Sequence, residues 1–114
     1  GLSYSEFAYS DLFITVSGGE ILVSFSVENI SRQDGKEVAQ VYAGCACKEY
    51  PSKELKGFEK ISLCASEKKR VTVRIGIDSL RHYTNGAWRH VSDEYTIYVC
   101  KSVSDVQLSS KIKI

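Results

Sequence analysis

At 114 residues the chain is one domain in length, enough to bury a core without disulfide staples. Its 15 basic and 14 acidic side chains leave a net charge of +1, which gives neither nucleic acid nor an anionic membrane a strong electrostatic partner. No apolar run approaches the ~18 residues of a membrane-spanning helix and no basic-then-apolar leader is present, while an opening of Gly1-Leu2-Ser3-Tyr4 in place of methionine reads as a processed chain or a piece of a longer one.

In chain order, residues 1–11 are polar and aromatic, with Tyr4, Phe7 and Tyr9 as anchors, and read as an extended lead-in lying along the domain. Leu12, Ile14 and Val16 alternate with Phe13 and Thr15 as a first strand, which Ser17-Gly18-Gly19 ends. The second is the clearest: Ile21, Val23, Phe25 and Val27 point one way, Ser24, Ser26 and Glu28 the other. Asn29-Ile30-Ser31 fits a glycosylation acceptor, but the turn formers through Asp34-Gly35 favour an asparagine that bonds its own backbone. Lys36 to Ala43 form a strand with apolar residues on both faces, and such strands are covered on both.

After a loop over 44–53 comes Lys53-Glu54-Leu55-Lys56-Gly57-Phe58-Glu59-Lys60-Ile61-Ser62-Leu63, charged at alternate positions with a glycine inside. Such a glycine marks a bulge or a close approach, and a bulge near Gly57 is expected to return Phe58 to the face of Ile61 and Leu63. A turn at Cys64-Ala65-Ser66-Glu67 leads to Val71, Val73, Ile75 and Ile77 alternating with basic and polar residues; Asp78-Ser79-Leu80 opens a short helical turn. Tyr83-Thr84-Asn85-Gly86-Ala87-Trp88 is a hairpin signal, since Asn-Gly suits the positive-φ positions of a type I′ turn. It pairs residue 82 with 89 and 83 with 88. Tyr95, Ile97 and Val99 make the next strand; Val106, Leu108, Ile112 and Ile114 make the last, with an irregularity at Ser109-Ser110. About seven short strands at roughly ten-residue spacing, without a helical stretch, predict an all-β antiparallel sandwich.

The four cysteines, at 45, 47, 64 and 100, read first as unpaired and mostly buried thiols, with disulfides or a zinc site as the alternatives. Free thiols would suit a cytoplasmic protein and bridged ones a secreted protein. The carboxylates Glu54, Glu59, Glu67, Asp78, Asp93 and Glu94 fall on strand faces and turns, and His82 and His90 flank the hairpin on opposite faces. No nucleophile, base and orienting partner come together, no phosphate loop is present, and no catalytic, cofactor or metal residue is assigned. Tyr83 and Trp88 form a cross-strand aromatic pair that could serve as a stacking platform for a sugar ring.

Three phrases carry a further signal: Gly1-Leu2-Ser3-Tyr4 with Phe7 and Tyr9; Gly35-Lys36-Glu37-Val38 through Gln40-Val41-Tyr42; and, after Pro51, Lys53-Glu54-Leu55-Lys56-Gly57-Phe58. In that order they resemble the C-terminal fibronectin type III-like domain of family 3 glycoside hydrolases, the β-glucosidase and β-xylosidase group. Ala65-Ser66 and Ser92-Asp93 stand where the family commonly has Pro-Gly, and Cys100 where glycine is common. The resemblance implies one immunoglobulin-like or fibronectin type III-like domain over 1–114, with 1–11 leading in from a catalytic body. The parent would be a retaining β-glycosidase whose nucleophile and acid/base lie outside this chain, so the chain alone is expected to be inactive and to need no cofactor. Its expected partners are the catalytic domains of the same polypeptide, with carbohydrate as a possible second and neither nucleic acid nor membrane as a third. The residues expected at the interdomain contact are Tyr4, Tyr42, Lys53, Glu54, Leu55 and Phe58. The alternative is a free-standing carbohydrate-binding or adhesion module that uses Tyr83 and Trp88.

Overall fold

The computed structural model describes residues 6–45, 53–80, 82–84, 86–89, 94–102 and 104–113. Among these residues nine strands follow one another: β1 (Phe7–Ser17), β2 (Glu20–Asn29), β3 (Gly35–Cys45), β4 (Glu54–Leu63), β5 (Lys68–Gly76), β6 (His82–Thr84), β7 (Ala87–Arg89), β8 (Glu94–Ser102) and β9 (Asp105–Lys113). A single 3-10 turn, Ile77–Leu80, follows β5 where a helical turn was expected. Seven strands build the sandwich, a three-stranded sheet β1-β2-β5 over a four-stranded sheet β4-β3-β8-β9, and β6-β7 is a separate two-stranded ribbon. Every pairing is antiparallel.

The core follows from period-two patterning. Ile21, Val23, Phe25 and Val27 of β2 are sealed completely and register against Ile75, Val73, Val71 and Lys69 of β5. Ala39, Val41 and Ala43 of β3 meet them from the other sheet, flanked by Tyr95, Ile97 and Val99 of β8 and by Ile61 and Leu63 of β4. Each fully buried aliphatic or phenyl side chain here stabilises the fold by about 1.5–3 kcal/mol. On one side of the sandwich β4 comes close to β5, and a Cβ on Gly57 would lie 2.8 Å from Val73 Cγ1. The glycine thus marks a close approach, as its place in the strand suggested. Lys56 and Lys60 on β4 and Lys68, Lys69 and Arg70 on β5 stud these open edges, which discourages pairing with another sheet.

Three irregularities depart from the sequence reading. The first strand begins at Phe7, inside the expected lead-in, because a bulge between Ser10 and Phe13 inserts one residue and Asp11 takes a left-handed φ of 56°. That extra residue lets Phe7 and Tyr9 before it, and Leu12 and Ile14 after it, all pack on the core. In β4 the register shifts between Gly57↔Val41 and Leu55↔Tyr42, so the bulged residue is Lys56. Phe58 therefore does not return to the core: it stays outward and is 56% exposed, and Leu55 joins it there. The irregularity in β9 falls at Gln107, while Ser109 and Ser110 pair regularly with Tyr98 and Ile97.

Asn29 behaves as the turn reading requires. It is fully buried; its Nδ2 donates to the carbonyls of Gln33 (2.8 Å) and Leu63 (3.2 Å), and its Oδ1 accepts from the Ser31 amide (3.0 Å) and hydroxyl (2.6 Å). With the amide nitrogen enclosed in this way, the folded chain does not present Asn29 for glycosylation. The neighbouring turn places Ser66 at a φ of 66°, a conformation that glycine adopts without steric cost.

Candidate functional site

The strands turn two outer faces to their surroundings, and the face of the four-stranded sheet carries the candidate site. Directly opposed residues of an antiparallel pair share a face. The pairings Tyr42↔Leu55, Gln40↔Phe58 and Val38↔Lys60 between β3 and β4, and Tyr42↔Tyr98 and Gln40↔Cys100 between β3 and β8, place these side chains together. Val106 joins them opposite Cys100. Leu55 is 51% exposed, Val106 41% and Val38 37%; with Phe58 they leave an apolar strip open on a face where a solvated sheet would be polar.

At the centre of the strip the chain covers itself. Lys53 Nζ lies 5.3 Å from the Tyr98 ring centroid and 6.0 Å from that of Tyr42, within reach of a cation-π attraction of about 0.5–2 kcal/mol. Tyr42 is only 8% exposed, and its hydroxyl donates to Gln40 Oε1 at 2.6 Å. Cys100 is sealed beneath; burial, opposed by nearby Lys53 and reinforced by Asp105, pushes its thiol above the ordinary range. Cys100 and Cys64 are free thiols, the first buried and the second exposed; Cys45 is half-buried at the end of β3, and Cys47 lies outside the described residues.

Of the residues expected at an interdomain contact, Leu55, Phe58, Tyr42 and Lys53 are brought to this one face. Glu54 is not: it registers with Ala43 on the opposite side and pairs with Lys56 at 2.9 Å, while Lys56 also donates to the Ser79 carbonyl at 2.8 Å. Tyr4 lies outside the described residues. Tyr83 and Trp88 are register partners in the ribbon, as are His82 and Arg89, which matches the expected pairing. Tyr98, Val38 and Val106 were missed as members of the face. Tyr98 alternates with the core residues Ile97 and Val99, so its parity already pointed outward.

The comparisons with known proteins agree with this architecture. Residues 37–103 match the model of the fibronectin type III-like domain family. The whole chain is 34% identical over 122 aligned residues to thermostable β-glucosidase B of Acetivibrio thermocellus, covering 16% of that protein. Over 96% of its length it is 39% identical to a putative β-xylosidase of Formosa agariphila, again covering 16% of the relative. Among solved structures, β-glucosidase 3B of Thermotoga neapolitana in complex with glucose superposes on 99% of the chain with a TM-score of 0.90 and 33% identity, over 16% of that protein. The chain thus spans about a sixth of the length of the relatives it matches. It belongs to the fibronectin type III-like domain family, in the form found within family 3 β-glucosidases.

Proposed function

We propose that the chain is an accessory domain of a β-glycosidase and that it packs on the catalytic part of the same polypeptide through the outer face of the four-stranded sheet, stabilising it. The observation that carries this reading is the open apolar strip Leu55, Phe58, Val38 and Val106 on a chain whose relatives are about six times its length. An apolar strip with a polar surround is the usual mark of an interaction surface. An interface between domains of one chain buries roughly 600–1,500 Å², which a single sheet face can supply. In this reading hydrolysis of the glycosidic bond proceeds in the parent with retention, through a glycosyl-enzyme intermediate formed on a carboxylate outside this chain.

The test is a Leu55→Asp, Phe58→Asp double variant of the full-length parent. It should lose activity faster on heating while the KM for a small glucoside stays as it was. Unchanged thermal inactivation would refute the packing role. A second reading, a carbohydrate-binding module, draws on the register pairing of Tyr83 with Trp88. Retention of the chain on cellulose, xylan or glucan, abolished by Trp88→Ala, would favour it.

A further inference from the structure

The charges on the candidate face are one-sided. Register places Lys36 (opposite Ser62), Lys60 (opposite Val38), Lys111 (opposite Thr96) and Lys113 (opposite Glu94) on the outer side of the four-stranded sheet. All four are exposed, Lys36 and Lys60 toward one end of the strip and Lys111 and Lys113 toward the other. Lys53 covers the tyrosines between them. Among the described residues Glu94 is in register on that face, already 3.9 Å from Lys111, and Asp105 pairs with Ser102 where β8 meets β9, near Cys100.

The outer face of the three-stranded sheet is balanced by contrast. Arg70, Arg74 and Lys68 there stand against Glu20, Glu28 and Asp11, with Arg74 4.0 Å from Glu20 and Lys68 3.7 Å from Asp11. A net charge of +1 for the whole chain therefore hides a strongly cationic face. Lys36 lies on the interior strand β3, where no edge needs protection; Lys60, Lys111 and Lys113 lie on the edge strands β4 and β9, and besides blunting those edges they point to the same outer face as the apolar strip.

We infer that the surface received by this face is apolar at its centre and rimmed with carboxylates, and that it belongs to the catalytic part of the same polypeptide. The inference rests on the accessory-domain reading and adds the chemistry of the partner. Rim charges of this kind set register and salt dependence more than raw affinity. The apolar strip holds the contact, and the lysines choose which surface it lies on.

The test uses the full-length parent, with hydroxyl-radical labelling of Phe58 as the measure of docking. Labelling should be low in dilute buffer and rise severalfold toward roughly 1 M salt, where exposed pairs are screened. A Lys36→Glu, Lys60→Glu, Lys111→Glu, Lys113→Glu variant should label about tenfold faster without added salt, with an unchanged circular dichroism spectrum as the check on folding. Phe58 protected equally at every salt concentration and in the variant would overturn the acidic rim and leave the docking itself intact. Phe58 labelled freely in the wild-type parent would overturn both. Labelling unchanged in the variant, together with loss of binding to polygalacturonate, would reassign the lysines to an anionic polysaccharide and overturn the inference.

Discussion

The two outer faces of the sandwich are made from strands of the same kind and finished in opposite ways. On the three-stranded sheet, Ser24, Ser26 and Thr72 surround Arg70, whose guanidinium donates to Ser24 Oγ at 2.8 Å, to Ser26 Oγ at 3.2 Å and to the Asp11 carbonyl at 2.6 Å. Its opposite charges lie near one another, and one large apolar side chain, Phe13 at 64%, stands open. On the four-stranded sheet the outward positions include four exposed apolar side chains, Val38, Leu55, Phe58 and Val106, with lysines toward both ends. One face is thus satisfied by partners inside the chain, whereas the other leaves apolar groups and lysines open, and on that openness the proposed docking rests.

Substitutions sharpen that contrast, beginning with the largest effect on the chain. Gly57→Ala places a methyl against Val73 Cγ1 at 2.8 Å, and because Val73 is buried and stiff the closely packed edge must yield; the loss should be about 1–3 kcal/mol by denaturant titration. Arg70→Ala removes three donated bonds from the self-satisfied face and should destabilise the chain by about 1–2 kcal/mol in the same measurement. Phe58→Ala on the open face should change it by no more than about 0.5 kcal/mol, because a side chain 56% exposed leaves little behind. A loss as large as that from Arg70→Ala would break the contrast.

A fourth prediction concerns the interior that both sheets share. Tyr9 stacks on Phe25 with ring centroids 5.9 Å apart, and burial first, then the charges of Glu37 and Asp105, hold its hydroxyl well above the ordinary tyrosine range. The folded state therefore disfavours the phenolate. Stability from this group is complete below the unfolded tyrosine value of about 10 and is lost as pH climbs beyond it. Tyr9→Phe should flatten the alkaline limb of a stability-versus-pH curve and leave the neutral region nearly unchanged. An alkaline limb as steep as that of the wild type would contradict the assignment.

The bulges mark the boundary of what the sequence disclosed. The strands, their inward residues, the turn asparagine and the 82–89 pairing were legible because period-two alternation and turn chemistry are local. Tyr9 and Leu12 are separated by three positions, and so are Leu55 and Phe58. In β1 an added residue gathers the first pair inward; in β4 an added residue gathers the second pair outward. No local rule separates the two cases. The β4 bulge sits at Lys56, which bonds the Ser79 carbonyl 23 positions away, a contact that no local pattern announces. Leu55 shares its parity with Ile61 and Leu63, yet the bulge places it on the opposite face, and Phe58 stays outward where the sequence predicted its return to the core. The cationic rim was hidden for a related reason: Lys36 and Lys60 lie on β3 and β4, Lys111 and Lys113 on β9, and only the sheet order brings them to one surface.

The most direct test compares hydroxyl-radical labelling of Leu55, Phe58 and Phe13 in the 114-residue chain and in the full-length parent. The account predicts that all three label readily in the chain alone, and that in the parent Leu55 and Phe58 are protected while Phe13 stays reactive. Protection of Phe13 with Leu55 and Phe58 still reactive would contradict it, because the docked face would then be the one whose hydrogen bonds and charges are already satisfied within the chain.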